Sequence, residues 1–224
     1  MSLAYKISGF NRRRKYQIFL KFLAPRRETT ILDVGFTEKE YSASDNFLEK
    51  NYPYPDKITA LGLEKPRQFS KRYPQIKAVV YDGRHFPFRD QHFDVVWSNA
   101  VLEHVGSRAA QVAFLKEIKR VGRRAFITTP NKNFPIEVHT RSLFLHWLPK
   151  RIFDRYLKLI GKGWATENYM HLLTQNGLKS ILKEAEINDY QIIKNRLGGL
   201  VLDFAVIIKS RWLKGKARQL EEKS

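Results

Sequence analysis

The sequence has no cysteine among its 224 residues. That excludes disulfide bonds, thiolate zinc sites and a cysteine nucleophile. No apolar run reaches the ~18 residues a membrane-spanning helix needs, so none is expected. A secretory leader is not expected either: Lys21 interrupts the early apolar patch IFLKFLA, and no small-residue cleavage site follows it. Internal repeats and low-complexity segments are missing too. Acidic residues are scarce, 22 Asp and Glu against 41 Lys and Arg, giving a formal net charge of +19. Such an excess attracts nucleic acid, anionic membrane phospholipid, or a phosphorylated or acidic substrate; a lysine-rich solubilising surface is an equally good reading. These features fit a cytoplasmic protein, peripheral at the inner membrane surface if its basic ends meet anionic lipid. With 43% hydrophobic and 13% aromatic residues, the chain is expected to form one globular domain with a substantial core.

The chain is organised around Ala78–Val105, AVVYDGRHFPFRDQHFDVVWSNAVLEHV. Ile76–Tyr81 reads as a strand that stops at the turn signal Asp82-Gly83. Phe93–Trp97 is an apolar run too short for a helix and without polar alternation, the pattern of a buried parallel strand. Ser98 and Asn99 end it, and the stretch from Ala100 to His104 opens a helix. In open α/β sheets the ligand lies outside the carboxyl ends of the strands. Asp82 and Asn99 are therefore expected on one rim, near each other.

Upstream, residues 11–24 have helical spacing at Tyr16, Phe19, Leu20 and Leu23, ended by Pro25. This basic helix reads as cover for the sheet edge in preference to a membrane-surface helix. Thr29–Val34 is the first strand, followed by the tight-turn residue Gly35. Lys57–Leu63 is the second strand; Glu64 behind it offers two acceptor oxygens, enough for both hydroxyls of a ribose. Helices are expected at Pro66–Tyr73 and at Ser107–Val121, the latter capped by Ser107, and a fifth strand at Ala125–Thr129. The alternation predicts a doubly wound, mostly parallel sheet. Pro130–Pro149 has too many prolines and scattered aromatics for one regular element. Helices Arg151–Ile160, Thr166–Gln175 and Leu178–Ala185 follow, then a strand pair, Tyr190–Lys194 and Leu200–Lys209. The organisation is one domain with a basic helix (1–28), a lid insertion (130–176) and a basic tail (210–224).

Four words in fixed order carry a resemblance: Asp82 after the third strand, Phe86-Pro87-Phe88, then FDVV and VLEHV. Together they resemble the class I S-adenosylmethionine-dependent methyltransferases, in particular the type 11 group of small-molecule enzymes. The resemblance implies a Rossmann-like, seven-stranded sheet with an antiparallel last strand, and S-adenosylmethionine as cofactor. It assigns cofactor contacts to Asp33, Gly35, Thr37, Glu64, Asp82, Gly83 and Asn99, with Asp82 accepting from the adenine amine. Asp33-Val34-Gly35 matches the start of the family's D-x-G-x-G motif, but Thr37 stands at the next glycine position. The loop that follows is long and polar, leaving Ser42, Ser44 or Asn46 to wrap the methionine end. That loop, with its Ser44-Asp45-Asn46-Phe47-Leu48-Glu49 and Tyr52-Pro53-Tyr54 words, resembles a type 11 sub-group. So does the insertion, with Glu137-Val138-His139-Thr140 and His146-Trp147-Leu148-Pro149.

Methyl transfer from a sulfonium is an in-line displacement, in which a protein supplies orientation and, for a hydroxyl acceptor, a base. His104 and His139 are the candidate bases, His139 beside Glu137, a carboxylate that would orient and charge it. Phe144 and Trp147 could wall an acceptor pocket. No metal-ligand spacing is present. Ser98-Asn99-Ala100-Val101 lacks the Asn/Asp-Pro-Pro-aromatic word of base N-methylating enzymes. The reading is O-methylation of a small-molecule or glycan/lipid-linked acceptor. Ribose methylation of RNA, or a non-catalytic methyltransferase-like binding protein, are the alternatives.

Overall fold

The computed structural model describes residues 3–137, 140–166 and 170–209, with side chains from residue 8 onward. Its seven strands are β1 (Ile31–Val34), β2 (Ile58–Gly62), β3 (Lys77–Val80), β4 (Phe93–Asn99), β5 (Gly122–Pro130), β6 (Tyr190–Leu197) and β7 (Leu200–Ile208). They form one sheet in the order β3-β2-β1-β4-β5-β7-β6. The pairs from β3 to β5 are parallel, and β7 runs antiparallel to both β5 and β6. The sheet is thus the doubly wound, mostly parallel one the sequence implies. All four residues of β1 are buried, as are most of β4, because helices cover both faces.

The helices are α1 (Leu3–Leu23), α2 (Phe47–Asn51), α3 (Arg67–Arg72), α4 (Arg108–Val121), α5 (Lys150–Leu159) and α6 (Gln175–Glu184). On one face α4 and α6 bury Leu115, Ile118, Leu178 and Ile181 against β1, β4 and β5. On the other, α1 buries Tyr16, Phe19 and Leu23, spaced for one helical face. The Phe19 ring lies 5.0 Å from Trp97 of β4 and 5.8 Å from Phe126 of β5. The helix expected at the sheet edge therefore covers the middle of a face, because its apolar stripe matches two large aromatics on central strands. It ends at Leu23, with Ala24 at φ 40° just before Pro25.

Three local expectations change. The 100–104 stretch is not the start of α4: it makes a separate 3-10 turn, Leu102–His104, before Ser107 caps α4 by accepting from Ala110 N at 3.3 Å. The loop after β1 is not wholly irregular but contains α2. No helix runs from Thr166 to Gln175 among the described residues. Leu173 is extended, its carbonyl accepting from Lys132 N at 3.0 Å, and α6 starts only after Thr174, which caps it through Gly177 N at 3.1 Å. The 130–176 insertion is otherwise built from a 3-10 turn (Leu145–Trp147), α5 and a second 3-10 turn (Gly163–Ala165). Residues 210–224, expected as a basic tail, lie outside the described residues, as does His139.

Candidate active site

The carboxyl rim of the sheet is shaped by Gly35. It follows β1 with φ 105°, a conformation that L side chains rarely adopt. A Cβ there would come within 2.4 Å of Val101 Cγ2, so the 100–101 segment lies directly over it. Beneath that segment is a cavity of about 130 Å³, lined in part by Arg12, Asp33, Gly35, Glu49 and Asn99. Asp33 on β1 and Glu49 on α2 are both buried carboxyl groups. Burial pushes both above the ordinary carboxylate range, and the charge of Glu49 raises Asp33 further. Neither carboxylate oxygen of Glu49 has a hydrogen-bond donor among the described residues. Two buried carboxyl groups lining one cavity resist being charged together. Arg12 of α1 faces this pair. Burial lowers its pKa, while Asp45, Glu103 and Asp33 favour its charge. Next to it Lys15 is paired with Asp203 at 3.2 Å, and Asn11 donates to the same carboxylate at 2.6 Å.

The sequence-derived residues spread along this rim. Thr37 and Asn46 are tied to each other: Thr37 N donates to Asn46 Oδ1, and Asn46 Nδ2 to Thr37 O, both at 2.8 Å. Ser42 Oγ donates to Asp45 Oδ1 at 3.0 Å. Ser42 and Asn46 thus shape the loop from within. Glu64 is exposed beyond β2, beside Leu63, which is 64% exposed. Asp82 is exposed too, with Oδ1 accepting from Arg84 N at 2.9 Å and His85 N at 3.0 Å. Those two backbone donors hold its pKa below the ordinary value. Gly83, at φ 81°, turns the chain back towards Leu63. Asn99 ends β4, its Oδ1 accepting from Thr128 Oγ1 at 2.6 Å. Asp82 and Asn99 share the rim but are not neighbours. Three strand spacings separate β3 from β4, roughly 14 Å.

His104 sits on the 3-10 turn, with Nε2 4.0 Å from Glu103 Oε1. Glu103 is buried and accepts from Thr129 Oγ1 of β5 at 3.1 Å. Glu137 is buried as well, and both the N–H and the hydroxyl of Thr140 donate to its Oε2 at 2.5 Å. That geometry makes Glu137 an anchor of the lid loop.

A second cavity, of about 320 Å³, lies under the lid, lined by residues including Arg108, Gln111, Lys132, His146, Lys150 and His171. His146 is buried, with Nε2 3.0 Å from the Lys132 carbonyl. A carbonyl only accepts, so Nε2 carries the proton and Nδ1 presents a lone pair. Among the described residues Nδ1 is buried without a partner, as is Nε2 of His171. His171 N donates to Glu103 O at 2.7 Å, which joins this cavity to the turn carrying His104. Burial and the nearby Lys150 lower the His171 pKa.

The strand order and the ligand-ready rim define the class I methyltransferase fold. A methyltransferase from Methanosarcina mazei, described as S-adenosylmethionine-dependent, shares it with 18% identity and a TM-score of 0.53, over 83% of this chain and 93% of that one. A second, from Aquifex aeolicus, gives 15% identity and a TM-score of 0.55 over 86% and 87%. The 1,6-didemethyltoxoflavin-N1-methyltransferase of Burkholderia thailandensis, solved with its substrate and S-adenosylhomocysteine, gives 16% and 0.55 over 89% and 77%. No curated protein matches. The family model described as a methyltransferase domain, type 11, matches residues 55–125. The chain thus has the fold of the class I S-adenosylmethionine-dependent methyltransferases, and its central third matches a methyltransferase-domain family.

The residues present fit that cofactor. The unsatisfied Glu49 oxygens opposite Asp33 call for an ammonium, and Arg12 across the cavity calls for a carboxylate; an α-amino acid carries both. At about 130 Å³ the cavity suits this end of the cofactor alone. Leu63, Glu64 and Asp82, exposed on the open rim, would hold the nucleoside end. Arg12 and Glu49 were not singled out in the sequence. Arg12 lies in a run of four cations, and Glu49 in a loop that reads as solvent-exposed.

Proposed function

We propose that the protein O-methylates a hydroxyl on a small-molecule or glycan/lipid-linked acceptor held in the lid cavity. The carrying observation is the buried lone pair of His146 Nδ1, unpartnered among the described residues, with Nε2 held by the Lys132 carbonyl. An acceptor hydroxyl is the partner this nitrogen lacks. When bound, the cofactor supplies an electrophilic methyl group. The chain's own work is orientation, water exclusion and proton handling. As the O–CH₃ bond forms and the S–CH₃ bond breaks, the hydroxyl proton passes to a histidine. His146 is one candidate. His104, on the turn bonded to His171 of that cavity's lining, is another, and His139 remains the third from the sequence. Glu137, which also accepts from Thr140, remains the carboxylate that would orient His139.

Calorimetric titration with S-adenosylhomocysteine, followed by methyl-transfer assays on hydroxylated acceptors, tests the reading. His146→Ala and His104→Ala are expected to keep S-adenosylhomocysteine affinity within a few-fold. At least one should lower turnover by about 100-fold, the usual contribution of a positioned base. Normal turnover in both, or a product methylated on carbon or nitrogen, would overturn it.

A further inference from the structure

The lid carries an unusual share of exposed apolar surface. Nine of the fifteen large apolar residues exposed among the described residues fall between Ile136 and Trp164. They include Trp147 at 49% and Trp164 at 55% exposure. On α5, Ile152 and Leu159 are seven residues apart, two helical turns, and point outward along one line. Phe153 and Leu157 hold the other side of the helix against Ala165 and Leu145. Phe144 and Trp147 lie on the neighbouring turn with ring centroids 5.1 Å apart. Monomeric proteins rarely leave such clusters uncovered without a binding role.

Charge identifies the occupant. Between Ile136 and Trp164 the sequence has six cations against two acids. One of the acids, Glu137, is buried, and the other, Asp154, is held by Lys150 at 2.9 Å. Arg151, Arg155 and Lys158 repeat at helical spacing on the exposed side of α5, alongside the Ile152–Leu159 line. Outward indoles and aliphatics beside lysine and arginine suit the headgroup boundary of an anionic bilayer, where apolar burial and attraction to lipid charge act together. Among the described residues no helix is long and apolar enough to cross a membrane. Contact is therefore peripheral.

We infer that the lid, through α5 and the turns bearing Trp147 and Trp164, is a docking surface for an anionic phospholipid bilayer. This goes beyond the methyl-transfer reading and does not depend on it. Lid docking brings the cavity bearing His146 to the membrane face, where a lipid-linked acceptor would be presented.

The test is co-sedimentation of the full chain with phosphatidylcholine vesicles, with and without phosphatidylglycerol. Binding is expected only to the anionic vesicles and should weaken as salt is raised. Leu159→Glu with Trp164→Glu should lower vesicle affinity by about tenfold or more, while S-adenosylhomocysteine affinity stays unchanged. Brominated lipid should quench tryptophan fluorescence in the parent, and the quenching should be lost in Trp147→Phe/Trp164→Phe. Vesicle binding that survives Leu159→Glu/Trp164→Glu would overturn the inference. So would binding abolished by removing Ser210–Ser224 alone. A dimer dissociated by Leu159→Glu, seen by sedimentation equilibrium, would assign the surface to a second copy instead. Vesicle binding without any S-adenosylhomocysteine binding would keep this inference and sink the methyl-transfer reading.

Discussion

Glu49→Gln separates a ligand-binding role from a structural one, because the two predict opposite signs. In the free protein Asp33 and Glu49 are buried together, and burial together with the neighbouring charge raises Asp33 above its ordinary value of 3.8. A carboxyl group raised in the fold contributes stability below its unfolded pKa, and that contribution is lost as pH rises through the folded value. At neutral pH the pair is a liability. Glutamine keeps the size, removes one ionisable group and can donate to Asp33. The variant should therefore be more stable than the parent near pH 8, and its stability should vary less with pH above the ordinary carboxylate range. A gain of about 1 kcal/mol would raise Tm by ~2–4 °C in a chain of this size. The cofactor loses in the same variant. A hydrogen bond to a charged group is worth about 1.5–3 kcal/mol, so S-adenosylhomocysteine affinity should fall about 10- to 150-fold. In the parent, ligand binding should also release protons, because an ammonium beside Asp33 and Glu49 favours their charged forms. Calorimetry in two buffers of different ionisation enthalpy reads both quantities, and thermal unfolding across pH reads the first. A less stable variant with unaltered affinity would make the dyad an ordinary part of the core and refute the reasoning.

The rest of the cofactor rim makes three further predictions. Arg12→Ala should weaken S-adenosylhomocysteine about tenfold or more, since a charge-assisted contact is lost, while adenosine alone binds as before; equal losses for both ligands would count against Arg12 meeting the carboxylate. Glu64→Ala and Asp82→Ala should each reduce affinity, with losses of about 0.5–3 kcal/mol by calorimetry; unchanged binding in both would displace the nucleoside from this stretch of rim. Gly35→Ala would put a methyl 2.4 Å from Val101 at φ 105° and should cost about 1–3 kcal/mol in denaturant unfolding; pairing it with Val101→Ala should recover part of that loss if the clash is the cause.

Much of the fold was legible in the sequence, and the reason is visible in β4. Phe93 to Trp97 is a continuous apolar run because both faces of the strand are covered, and its burial in the sheet follows from that pattern alone. Ser107 capping α4 was legible for a similarly local reason. The site was less so. Glu49 lies on a helix of five residues, too short to leave a periodic signal, and that helix packs under α1 through Tyr16 and Phe47. Arg12 reads as one more surface cation until α1 is seen to cross the rim. The misplaced helix at 166–175 has a tertiary cause: Leu173 bridges to Asn131 and so stays extended, although Leu172 and Leu173 suit a helix. Gly177 looks like a break, yet it lies inside α6 as the donor to the Thr174 cap.

The departure from a glycine-rich first motif has a counterpart elsewhere in the chain. A second glycine would leave the rim open to backbone donors, but here Thr37 stands at that position and its N–H is taken by Asn46 Oδ1. The preceding Phe36 turns into the core, so close to β2 that a Cβ on Gly62 would come within 2.5 Å of its ring. The loop beyond is closed on itself by Asn46 and Thr37. On our reading, recognition of an amino-acid end would pass from backbone amides to side-chain charges: Asp33 on the sheet, Glu49 on α2 and Arg12 on α1. Those charges come from three separate elements, and one of them, α1, is held to the sheet by Phe19 packing on Trp97 and Phe126. A ligand bridging Arg12 and the Asp33–Glu49 pair thereby ties α1 to the rim. Cofactor affinity and the docking of α1 are then two sides of one equilibrium, and whatever loosens α1 weakens the cofactor by the same free energy.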